Sequence, residues 1–225
     1  MKSRLEKCIM LQEWLLKQSD DGIVRLIQQS NHIHQGIGGD TYFILINGIP
    51  VFLKAIPLTA LEKKNYRSTK NIFNLPMYYQ YGVGSTGFGV WRELAAHEQC
   101  QAWVESGLLP NFPLLFHWRE IDYKASNSKM DDEAISKEVG YWNHSEAVRE
   151  RLLAIRDSKT CIILICEYFP KNLQDWFSNE ILADDTRALK AIDHVEKSLL
   201  AINNFMISQN MIHFDAHFRN YEELV

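Results

Sequence analysis

The stretch Met211-Ile212-His213-Phe214-Asp215-Ala216-His217-Phe218-Arg219-Asn220 has the form H-x-D-x-H-x-x-N. It gathers two imidazoles, a carboxylate and a carboxamide into a short span, and two chemistries use such a set. On a strand, His213, Asp215 and His217 at i, i+2 and i+4 share one face, where they could hold iron or zinc. On a loop, the gap between Asp215 and Asn220 lets the two side chains reach opposite sides of one transferred group. The rest of the chain has to decide between them.

Immediately upstream, residues 185–209 carry Leu189, Ile192, Val195, Leu199, Ile202 and Phe205 or Met206 at helical spacing. That pattern predicts a core-facing helix that presents the final loop. A shorter helix is expected over Asn172–Phe177. Before it, Cys161-Ile162-Ile163-Leu164-Ile165-Cys166 is continuously apolar and reads as a strand buried on both faces. Glu167-Tyr168-Phe169-Pro170 breaks it. Residues 121–158 are polar and mixed, with Asn127–Glu133 the expected disordered stretch and a helix over 145–157. Phe112–Trp118 reads as a fourth strand, and residues 91–105 as a helix.

The N-terminal third completes the pattern. Residues 3–18 predict an amphipathic helix with Leu5, Cys8, Ile9, Leu15 and Leu16 near one face, and Ser19-Asp20-Asp21 caps a second helix through Gln29. A helical cap on the core is expected, with partner binding as the alternative. His32 to Thr41, Tyr42–Ile46 and Ile49–Ile56 then supply strands. Asn47-Gly48 between apolar runs signals a hairpin, because both residues tolerate positive φ. Gly36, Gly38 and Gly39 would let backbone N–H groups approach phosphate oxygens closely. Lys54 sits inside the apolar run Val51-Phe52-Leu53-Lys54, where its charge needs a partner or must snorkel to water.

Residues 57–90 read as a long connection that loops out, a flexible lead-in to the next helix able to fold over a cleft. Its basic residues Lys63, Lys64, Arg67 and Lys70 are expected to be solvated. Gly82-Val83-Gly84-Ser85-Thr86-Gly87 formally matches G-x-G-x-x-G. However, a Tyr-rich segment rather than an aliphatic strand precedes it, and no strand ending in an acid follows at the required distance, so a dinucleotide site is not expected.

Taken together, the H-x-D-x-H-x-x-N loop, the Val51–Lys54 strand and the strand broken at Glu167 resemble the protein-kinase-like phosphotransferases, in the style of the aminoglycoside and choline phosphotransferases. The resemblance covers roughly residues 32–220. It implies an α+β two-lobe fold with a five-stranded antiparallel N-lobe sheet and a long helix, followed by an incomplete helical C-lobe. The expected domains are a helical extension at 1–30, an N-lobe at 31–168 with insertions at 57–90 and 121–160, and the start of a C-lobe at 169–225.

Carried over by residue, Asp215 would be the catalytic base, Asn220 a magnesium ligand and His213 a brace for the loop. Lys54 would hold the ATP phosphates, with Glu93 as its helix partner and Glu98 the runner-up. Gly36, Gly38 and Gly39 would cover the phosphates. Glu167 and Phe169 would offer backbone groups to adenine. His217 stands where Ser/Thr kinases carry a Lys, and Phe214 where regulated kinases carry an Arg, so the acceptor is a protein or small-molecule hydroxyl and no phosphorylated-loop switch is implied. The family also carries a second metal-binding Asp in a D-F-G-like turn roughly 15 residues past the Asn. The sequence ends at Val225, and Asp20-Asp21-Gly22 lies in the N-terminal helical region. The expectation is therefore a truncated chain, inactive or nearly so, that self-associates through an exposed helical face. The alternative is a pseudokinase-like nucleotide-binding or interaction module.

Composition excludes other classes. Net charge is -4, so no basic field invites nucleic acid. The apolar runs are too short to span a bilayer. Four cysteines without a C-x-x-C pair read as reduced thiols of a cytoplasmic protein.

Overall fold

A computed structural model describes residues 3–36, 38–125 and 130–213. The chain divides into two compact units, one comprising Met1–Leu108 with Phe112–Tyr168 and the other Leu109–Asn111 with Phe169–Val225.

The first unit is α+β and is built on strand β5, Thr160–Glu167. Its side chains from Thr160 to Cys166 are all buried, as the unbroken apolar run predicts. The strand lies inside a five-stranded sheet of order β1-β2-β3-β5-β4, with every neighbouring pair antiparallel. The others are β1 (Asn31–Gly36), β2 (Gly39–Ile46), β3 (Ile49–Leu58) and β4 (Leu115–Ile121). The β2–β3 turn is formed by Asn47 and Gly48 at φ 51° and 76°, the left-handed pair that the sequence signals. Strand β4 begins and ends three residues later than Phe112–Trp118, because Phe112–Leu114 instead lead up to the sheet edge.

Side-chain alternation divides the core by face. Cys161, Ile163 and Ile165 of β5 join Val51, Leu53 and Ala55 of β3 against helices α1 (Arg4–Leu16) and α2 (Asp20–Gln29). Ile162, Leu164 and Cys166 join Ile56 and Leu58 against Val90, Trp91 and Leu94 of helix α5, Val90–Glu105. Ser3 and Glu6 form a capping box on α1, and Ser19 caps α2. The face of α1 is narrower than expected: Cys8 and Leu15 are buried as read, together with Leu11, whereas Leu5, Ile9 and Leu16 are exposed. The helix docks on one flat sheet, and a stripe at i, i+3 and i+7 suffices for that. Burial pushes the Cys8 thiol up to about 11 and Cys161 to about 12, so these are unreactive core groups.

Residues 57–90 do not loop out. Thr59 and Glu62 form a capping box on helix α3, Ala60–Lys64, and the segment continues through helix α4, Met77–Gln80. It packs on helices α6 (Asp132–Tyr141) and α7 (Glu146–Arg156) around Leu75, Tyr79, Ile135, Val139, Val148 and Leu152. Asp131 starts α6 by accepting from the Ala134 N–H, so 131–133 open a helix; residues 126–129 lie outside the described residues. Of the basic residues expected to be solvated, Lys63 pairs with Glu120 and Arg67 with Glu98.

Glu62 holds this layer together. Its side chain is 2% exposed and pairs at 3.0 Å with Arg151 of α7, itself 4% exposed. Glu62 also accepts from the Thr59 hydroxyl and amide and from the Val90 N–H at the start of α5, and its carbonyl accepts from Trp91 Nε1. Arg151 Nε donates to the Thr86 carbonyl.

The second unit, by itself, contains helices α8 (Leu173–Ala183) and α9 (Asp185–Ser208), capped by Asn172 and Asp184. Helix α8 runs beyond the expected Phe177. The buried stripe of α9 is Ala191, Val195, Ile202 and Met206, while Leu189 and Ile192 are exposed. Val195, Ile202 and Met206 are as expected; only the first turn differs, where counting large apolar residues overlooks the small Ala191. No helix among the described residues is long and apolar enough to cross a membrane.

Burial alone would raise the Glu62 carboxyl, but the Arg151 charge and the Thr59 hydrogen bonds hold it below its ordinary range. The pair's contribution is therefore present at neutral pH. It fades as pH falls below the ordinary carboxylate range, about 4–4.5, towards the depressed native value. Glu62→Gln keeps the capping box and removes the charge. Denaturant unfolding at pH 7 is expected to show a loss of about 3 kcal/mol, with a flatter stability profile below pH 4.5 than the wild type.

Candidate functional site

Lys54 lies on the same face of β3 as Phe52 and Ile56, so alternation turns it towards α5. There its Nζ donates to Glu93 Oε1 at 2.6 Å, with the two side chains 24% and 27% exposed. Glu93 reaches it from the first turn of α5, which Val90, Trp91 and Leu94 anchor in the core. Glu98, just over a turn further on, pairs elsewhere. It meets Arg67, whose guanidinium stacks on Trp118 at 4.7 Å.

The surroundings of the pair are dry on the sheet side. His97 follows Glu93 by one turn, and its Nδ1 lies 3.9 Å from Cys166 Sγ on the neighbouring strand. Burial lowers the His97 pKa, and Lys54 lowers it further against the opposing pull of Glu93, so the ring is neutral at pH 7. The buried Cys166 thiol is pushed up and stays protonated. Neither neighbour neutralises Lys54. Glu93 is the group that compensates its charge, and the ammonium keeps further N–H donors for an anion.

The glycines divide by role. Gly36 and Gly39 face each other where the β1–β2 ladder closes. Gly39 has φ 125°, and a Cβ there would sit 2.4 Å from the Ala55 carbonyl oxygen. It is glycine so that β2 can press against β3. Gly38 is the one beside the charge: a Cβ on it would lie 3.8 Å from Lys54 Nζ. Its backbone is therefore within reach of whatever the ammonium holds.

Glu167 ends β5 opposite Val51. Its N–H donates to the Leu114 carbonyl at 2.8 Å, and its carboxylate receives Arg4 from α1. Phe169 belongs to the second unit. His213 is the last described residue and is half-buried. Asp215, His217 and Asn220 lie outside the described residues, and so does the His213–Asp215–His217 metal reading.

The G-x-G-x-x-G segment serves packing. It follows the short helix α4 instead of a strand. A Cβ on Gly82 would meet the Trp142 ring at 2.5 Å, and one on Gly87 would meet the Gln80 backbone at 2.6 Å. Sequence reading overlooked Arg4, His97 and the Glu62–Arg151 pair. The T-x-x-E of Thr59 and Glu62 was a legible capping signal. Nothing local marks Arg151 or Arg4 as partners of distant acids.

No family model matches the sequence, and no curated protein matches it.

The two neighbouring glycines should behave oppositely. Gly39→Ala is expected to cost about 3 kcal/mol in denaturant unfolding, from backbone strain plus overlap with Ala55. Gly38→Ala should cost less than about 1 kcal/mol. Equal costs would mean that the close approach of β2 and β3 does not set the choice of glycine.

Proposed function

We propose that this chain is a kinase-like phosphotransferase that moves the γ-phosphoryl group of ATP to a hydroxyl of a protein or small molecule. The observation that carries this reading is the Lys54–Glu93 pair, held at 2.6 Å between an antiparallel sheet and a core-anchored helix with Gly38 beside the ammonium. An ammonium fixed by one carboxylate is oriented without being discharged, and its remaining donors suit the oxygens of two adjacent phosphates. Gly38 adds a backbone N–H without a side chain in the way.

In this reading Lys54 binds the phosphates, Glu93 orients Lys54, and the end of β5 at Glu167, with Phe169 beyond it, offers backbone groups to the adenine. Asp215 takes the proton of the acceptor hydroxyl, and His213 braces its loop. Asn220 would hold magnesium, which supplies charge neutralisation on the phosphates when bound. Among the described residues no cluster of three or more His, Cys, Asp or Glu side chains could hold a metal.

Thermal unfolding with and without MgATP, on the wild type and on Lys54→Ala, tests the reading. Ligand at about 100 times its Kd adds about 2.7 kcal/mol to the native state, and each kcal/mol raises Tm by roughly 2–4 °C at this size. The expected result is a rise of several degrees in the wild type that is lost in Lys54→Ala. A cooperative melt unmoved by MgATP would overturn the nucleotide site. A rise with zinc or iron instead would favour the His213–Asp215–His217 chemistry.

A further inference from the structure

At the far end of β5 from the α3–α7 layer, one side chain from the start of α1 meets the last residue of the central strand. Arg4 Nε donates to Glu167 Oε1 at 2.9 Å and to Oε2 at 3.1 Å, and Arg4 Nη2 donates to Oε2 at 2.6 Å. The same Nη2 donates to the Phe112 carbonyl at 2.7 Å. The Leu114 N–H donates to Glu167 Oε2 at 3.2 Å, and the Leu114 carbonyl accepts from the Glu167 N–H at 2.8 Å. One planar guanidinium therefore ties together the start of α1, the run into β4 and the end of β5. Its own position is set from below. Arg4 is the first helical residue after the Ser3 cap, and Cys8, Leu11 and Leu15 seat the helix on the sheet.

Two further facts give this knot a direction. Glu167 continues the alternation of Cys161, Ile163 and Ile165, which face α1 and α2. Its carboxylate thus lies on the opposite face of the sheet from Lys54 and cannot touch a ligand held there. Second, Lys54 pairs with Leu164 and Val51 with Glu167. Three register steps at about 3.3 Å per residue separate them by about 10 Å, comparable to the reach from a nucleobase to its inner phosphates. We infer that Arg4 is a positioning residue for the base end of the proposed nucleotide site: it holds the Glu167 backbone in place from behind the sheet. This rests on the nucleotide reading above.

The test separates the base from the phosphates by comparing binding of MgATP with that of magnesium inorganic triphosphate, by calorimetry, on the folded full chain. Arg4→Ala and Glu167→Gln should each weaken MgATP on the order of tenfold while leaving triphosphate within about twofold, as loss of a charge-assisted pair at one end predicts. Arg4→Lys keeps the charge and loses the fork, so its MgATP affinity should fall in between. Glu167→Gln retains acceptor oxygen for Leu114 and carries the test if Arg4→Ala fails to fold. Parallel loss of both ligands would reduce Arg4 to a purely structural role and overturn the inference alone. So would unchanged MgATP binding in the variants, or wild-type binding of triphosphate without any preference for ATP. A wild type that binds neither ligand would overturn the nucleotide reading itself.

Discussion

A strand whose side chains are buried on both faces obliges the protein to cover both sides of the sheet. Strand β5 imposes that condition here, with Cys161, Ile163 and Ile165 on one side and Ile162, Leu164 and Cys166 on the other. Helices α1 and α2 meet the first demand and α5 meets the second. A cation on β3 then has two destinations, and alternation sends Lys54 to the α5 side. The ammonium finds a carboxylate there because α5 must already lie close to bury Trp91 and Leu94. The Lys54–Glu93 contact is thus a consequence of how the core is closed.

The same helix is fixed at its start by a second charge pair of a different kind. Glu62 and Arg151 are almost wholly removed from water, and a buried pair of this sort is costly to form and more costly to break. Its value is in specificity of contact. It joins segments from two polar stretches to the Val90 N–H, so the first turn of α5, which carries Glu93, is held from outside the sheet. Arg4 does the corresponding work at the other side, tying α1 to the end of β5. These two ion pairs, each linking residues far apart in sequence, therefore locate the ends of elements, while apolar packing supplies the bulk of the cohesion.

Much of the fold was legible because its signals are local. The apolar run at 161–166, the Asn47-Gly48 turn and the Ser19 cap each follow from a few neighbouring residues. Errors fell where size and approach matter more than hydropathy. The stripe of α9 was misplaced only at its start, where the small Ala191 is buried in place of Leu189 and Ile192, and the face of α1 was drawn too wide, taking in Leu5, Ile9 and Leu16 beside Cys8 and Leu15. Residues 57–90 looked like a loop because they are too polar to make a core alone; with the helices of 132–156 they bury Leu75, Tyr79, Ile135, Val139, Val148 and Leu152.

By itself, the sequence determined the strands of the sheet, the helices that cover it, the buried central strand and the need of Lys54 for a counter-charge, since each depends on chemistry within a turn or a strand. It could not choose between Glu93 and Glu98, for both lie on one helix within reach of plausible cations. Tertiary structure decided that choice through the register of β3 on β5 and the docking of α5, which put Glu93 over Lys54 and Glu98 beside Arg67. Likewise, only the folded chain could bring Arg4 to Glu167 and Glu62 to Arg151, because a long-range ion pair leaves no periodic trace in the residues that make it.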